Sequence, residues 1–113
     1  MTLEANALFW DEDGCCIGDE TSINLENGTE INYNIPGLQQ WCGKYLWQCL
    51  VPIESGEVTK EELTKTFDWS EFHKEGIEFA KEVKKLLPEN VILKYSAPFE
   101  DGSNFIKDDM IIE

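Results

Sequence analysis

DWSEFHKEGIEFAKEVKKLLPENVILKY, residues 68–95, changes periodicity partway along, and that change decides the fold. Trp69, Phe72, Gly76, Phe79, Ala80, Val83, Leu86 and Leu87 trace one apolar stripe with charges opposite, the pattern of an amphipathic helix. Asp68 with Glu71 forms a capping box at its start, and Pro88-Glu89-Asn90 stops it. Val91-Ile92-Leu93-Lys94-Tyr95 then reads as a strand. Gly76 inside the helix costs roughly 1 kcal/mol relative to Ala, so another element is expected to approach closely there.

Upstream, Asn34 is the expected N-cap of an earlier helix, with Pro36 in its first turn. Leu38, Trp41, Cys42, Tyr45, Leu46 and Cys49 recur at helical spacing to about Leu50, and Val51-Pro52 is expected to end the helix. A short helical turn over Glu61 to Lys65 is expected in the polar connection that follows. From Leu3 to Tyr33, brief apolar stretches are punctuated by Asp13-Gly14, Gly18-Asp19 and Asn27-Gly28. Ile23, Leu25 and Ile31, Tyr33 alternate on the flanks of the last of these, which predicts hairpins and three or four antiparallel strands. Residues 105 to 112 are expected to add a last edge strand. Strands, two main helices, then strands make an α+β fold: a mostly antiparallel sheet with the helices on one face, as a single domain over residues 1–113.

The net charge of −14 opposes attraction to nucleic acid or an anionic membrane and predicts a basic partner. All nine basic residues are Lys, so the bidentate guanidinium that commonly reads phosphate is absent from the sequence. The charge is uneven: residues 1–43 carry −8, residues 44–98 only −2, and residues 99–113 carry −4. Pairing of the two ends in one sheet would bring their acids to one side and create a field that steers a cation. No apolar run reaches membrane-spanning length and no basic leader opens the sequence, so a cytoplasmic, reducing location is expected, with Cys15, Cys16, Cys42 and Cys49 as free thiols.

Catalytic and metal signals are sparse. The cysteines lack zinc-ligand spacing, and Asp11-Glu12-Asp13-Gly14 and Glu100-Asp101-Gly102 are too short for an EF-hand, so neither metal nor cofactor is expected. His73, the single histidine, falls one residue beyond Phe72 and is expected to face solvent beside Glu71 and Glu75. Trp47 lies off the apolar face of the first helix and Trp10 precedes an acidic turn; an aromatic framed by carboxylates has the make-up of a binding hot spot. A non-enzymatic, partner-binding protein follows, with Trp10, Asp11, Glu12, Asp13, Asp19, Glu20, Trp47, Glu100 and Asp101 as contacts. Like-charge repulsion favours a monomer when free. A thiol-dependent redox enzyme using Cys15 or Cys16, and an acidic adaptor for a basic housekeeping protein, are the competing readings.

Phe67-Asp68-Trp69-Ser70-Glu71-Phe72-His73-Lys74-Glu75-Gly76, the helix ending Leu86-Leu87-Pro88, Val91 to Tyr95 and Pro98-Phe99-Glu100-Asp101 resemble the C-terminal half of small acidic immunity proteins of bacterial toxin systems, including contact-dependent growth inhibition. The resemblance covers residues 67–101, about a third of the chain. It implies a protein that neutralises the C-terminal domain of a cognate toxin, many of which are nucleases with basic clefts, and the acids of residues 11 to 30 and 100 to 109 are the expected contacts.

Overall fold

A computed structural model of the protein describes residues 2–6, 8–18, 21–25, 28–98 and 100–112. The N-terminal segment folds as β1 (Thr2–Ala5), β2 (Phe9–Trp10), β3 (Cys16–Gly18), β4 (Ser22–Asn24) and β5 (Glu30–Asn32), five short strands where three or four were expected. At two of the expected turns Gly14 and Gly28 take positive φ, and Leu25 and Thr29 bond across the β4–β5 turn; Asp19 and Asn27 lie outside the described residues. Of the predicted C-terminal strands, β6 (Ile92–Tyr95) forms as read, while β7 (Met110–Ile112) occupies only the end of the expected span 105 to 112.

These strands make one seven-stranded sheet in the order β5-β4-β3-β2-β1-β6-β7. Its ladders are antiparallel except where β1 meets β6 in parallel, pairing Leu3 with Leu93 and Ala5 with Tyr95. A parallel pair needs a long crossover, which the remaining strands and the helices between β1 and β6 supply. The register is fixed by burial: Leu3, Ala5, Leu93, Tyr95 and Ile112 are buried on the helix side, while Glu4, Lys94 and Ile111 face away from it.

The helices lie on that inner face. α1 (Leu38–Tyr45) runs into a π-helical segment, Leu46–Leu50, and then into α2 (Val51–Ser55). The helix therefore passes through Val51-Pro52, against expectation, and ends at Gly56 in the left-handed conformation. A wide π turn just upstream accommodates a proline that a regular α turn would set against a carbonyl. The helix also starts later than Asn34 and Pro36 suggested, with Gly37 at the N-cap and Leu38 N–H bonded to Ile35 O. α3 (Lys60–Thr66) enlarges the expected turn, capped by the Thr59 hydroxyl.

α4 (Trp69–Lys84) is the central helix, and Asp68 caps it by accepting from Glu71 N–H at 3.0 Å. It stops short of Leu86, which is exposed, while Leu87 turns inward. Trp41 of α1 stacks on Phe72 with centroids 4.7 Å apart and donates from Nε1 to Phe72 O at 2.8 Å. Gly76 sits where Trp41 and Tyr95 both close on α4; a Cβ there would overlap both side chains. Among the described residues, no helix is long and apolar enough to cross a membrane.

Candidate functional site

Strand alternation places one residue in two on the face that the helices leave uncovered. Trp10, Glu4, Lys94 and Ile111 are consecutive cross-strand partners from β2 to β7 and form a row on that outer face. Beside the row lies a groove of about 340 Å³, lined by Thr2, Leu3, Glu4, Asp11, Glu12, Lys94 and Asp109. Four carboxylates meet one ammonium there, and among the described residues none of these five groups forms an ion pair with another.

The β2–β3 turn is built to hold this arrangement. Asp11 Oδ1 accepts from the backbone N–H groups of Asp13 and Cys15, each at 2.9 Å, and Gly14 bonds back to Asp11 O. Glu12 Oε1 accepts from Thr2 N–H at 2.7 Å, folding the turn against the start of β1. Trp10 donates from its indole to Asn6 Oδ1, which fixes the ring beside Glu4.

Of the contacts expected from the sequence, Asp11 and Glu12 line the groove, Trp10 borders it, and Asp13 is exposed at the turn. Asp19 and Glu20 lie outside the described residues. Trp47 is 72% exposed on the π-helical segment, in the helical layer across the sheet from the groove. One flat partner surface cannot cover both. Asp109, within the expected acidic span 100 to 109, also lines the groove, whereas Glu4 and Lys94 complete it without having been singled out; the alternation Leu3-Glu4-Ala5 beside Leu93-Lys94-Tyr95 was the available signal.

Glu100 and Asp101 are corrections, because they point inward rather than toward a partner. Glu100 is 5% exposed and accepts from the Tyr45 hydroxyl at 2.6 and 3.1 Å. The Asp101 side chain is 1% exposed and lies 2.6 Å from His73 Nε2. His73, expected in solvent, is also a correction at 0% exposure. It stands four residues after Trp69 and three before Gly76, so a full turn count puts it on the core face that its place next to Phe72 obscured.

A carboxylate can only accept, so His73 Nε2 carries the proton shared with Asp101; in the neutral ring Nδ1 accepts from the Tyr95 hydroxyl at 2.9 Å. Phe105 stacks over the imidazole at 8° and Trp69 flanks it at 25°. Burial by itself raises the Asp101 pKa, but hydrogen bonds from His73 and Ser103, together with the nearby imidazole charge, outweigh it and the net shift is downward. Burial, reinforced by the Glu100 hydrogen bond and charge, raises the Tyr45 phenol far above its ordinary value. Burial, with Glu100 and Asp101 adding to it, pushes the Cys49 thiol up to about 12. A protonated, enclosed thiol and a fully paired imidazole make poor nucleophile and base; this network fastens the chain after β6 to α4.

Cys15 and Cys16 are exposed and Cys42 and Cys49 buried, all as free thiols. No cluster of three or more metal-ligating side chains occurs among the described residues. No family model matches the chain, and no curated protein or solved structure matches it.

Proposed function

We propose that this protein binds a basic protein partner through the acidic outer face of its sheet and neutralises it, in the manner of the immunity proteins that the sequence resembles. The observation that carries this reading is the groove in which Glu4, Asp11, Glu12 and Asp109 surround Lys94 without pairing. Asp11 and Glu12 accept from backbone N–H groups, and a cationic surface could add charge-assisted bonds to the carboxylates of the groove. Residues from both acidic ends of the sequence meet there, concentrating a field on one face of a protein with net charge −14. Such a field steers association toward about 10⁸ to 10⁹ M⁻¹s⁻¹ at low salt, and a toxin cleft that must hold phosphates has the complementary sign.

The test is co-expression with a basic toxin domain encoded beside the chain, followed by binding measured across a salt series. Growth protection, with affinity that falls as salt rises, is the expected result. Glu4→Lys with Asp109→Lys should slow association by tenfold or more (about 1.4 kcal/mol) and flatten the salt dependence. Protection and binding unchanged by that double reversal would overturn the assignment of the groove, and absence of protection would overturn neutralisation.

A further inference from the structure

A sheet has two edges, and in this protein they differ. At one end β5 presents exposed Glu30 and Asn32 around a half-buried Ile31, a polar margin that discourages pairing. At the other end β7 exposes Met110 and Ile111, the latter to 63%, with Ile92 exposed close by on β6. Edge strands are ordinarily defended by lysine, proline, a bulge or a covering element, and Met110–Ile112 contains neither lysine nor proline. Among the described residues no strand pairs with its outer side.

We propose that the free edge of β7 takes an extended basic segment of the partner as an added strand. This inference rests on the reading of the protein as a binder of a basic partner and places the contact within that surface. The row Trp10–Glu4–Lys94–Ile111 would continue onto the new strand, so the residue opposite Ile111 is apolar. Asp109 lines the acidic groove on this same face two residues before Ile111, so the added strand carries a lysine or arginine two residues from its apolar anchor. Backbone pairing supplies affinity and the alternating basic and apolar side chains supply selectivity. A second copy of this chain fits the edge poorly, since it would bring Asp108, Asp109 and a net charge of −14 against their own likeness.

The probe is a short synthetic peptide alternating lysine and valine on one face, with threonine on the other. Its control has the same sequence with alternate backbone nitrogens methylated, which keeps the charge and side chains but blocks one hydrogen-bonding edge. At low salt the unmethylated peptide should bind at least about tenfold more tightly, the equivalent of two or three backbone hydrogen bonds. Amide exchange should slow at Met110–Ile112. Equal affinity for the two peptides, or protection elsewhere in the chain, overturns the edge pairing while the basic-partner reading stands. If neither peptide binds at low salt, both readings fall.

Discussion

Removing the Asp101 carboxylate with Asp101→Ala tests whether the buried network holds the segment after β6 in place. The substitution leaves His73 Nε2–H without its acceptor in a site where the imidazole has no exposure. A hydrogen bond to a charged group contributes about 1.5–3 kcal/mol, and a buried donor left without its acceptor costs about 1–3 kcal/mol. Ser103 N–H, bonded to Asp101 Oδ1 at 2.7 Å, is close enough to the surface to find water and adds little. The expected loss is therefore about 3 kcal/mol, a large share of the roughly 5–15 kcal/mol that stabilises a domain of this kind. It corresponds to a fall in Tm of about 10–20 °C. Urea titration followed by tryptophan fluorescence suits the measurement, because Trp69 stacks on His73 with centroids 5.8 Å apart. Replacing both partners, His73→Phe with Asp101→Leu, should be less damaging than the sum of the two single changes, since neither member of the His73–Asp101 pair is left facing an absent partner, although the Tyr95 hydroxyl loses His73 Nδ1 as its acceptor. A loss below about 1 kcal/mol for Asp101→Ala, in the range of surface substitutions, would refute the reasoning.

Gly76→Ala should destabilise the fold although alanine is the better helix former: the gain of about 1 kcal/mol in propensity is outweighed by overlap with Tyr95 and Trp41, and thermal melting reads the sign. Stability should also fall in acid. The Asp101 pKa in the folded protein lies below its ordinary value of 3.8, so its contribution is complete above that value and is lost as pH falls through the folded one. Urea midpoints measured from neutral pH downward should show that loss, and it should be smaller in Asp101→Asn. Native-state thiol labelling should modify exposed Cys15 and Cys16 and spare Cys42 and Cys49 until denaturant is added, as mass spectrometry of the labelled peptides can report.

The features legible in the sequence were those set within a few residues of the chain. The stripe from Trp69 to Val83 and the Asp68 cap specify α4 because helical contacts recur every three or four residues. The glycines at 14 and 28 specify turns because their backbone conformation is a local choice. Strand alternation in Val91 to Tyr95 was equally plain, and the surplus of acid at both ends could be counted directly. Even the helix through Pro52 misled for a local reason, since a proline stops a regular turn and only the π segment before it lets the helix continue. What tertiary structure alone decided is which strands lie beside one another and so which outward residues meet. The parallel pairing of β1 with β6 joins segments some ninety residues apart, and no periodicity within either segment encodes its partner. That pairing sends Glu4 and Lys94 outward to meet Asp11, Glu12 and Asp109 in one groove. The segment following β6 turns Glu100 and Asp101 inward, where Tyr45 and His73 receive carboxylates that the sequence had suggested for the surface. A count of charges is a property of the chain, whereas their placement depends on long-range pairing, and burial of a carboxylate is tolerated only where a donor from a distant segment meets it.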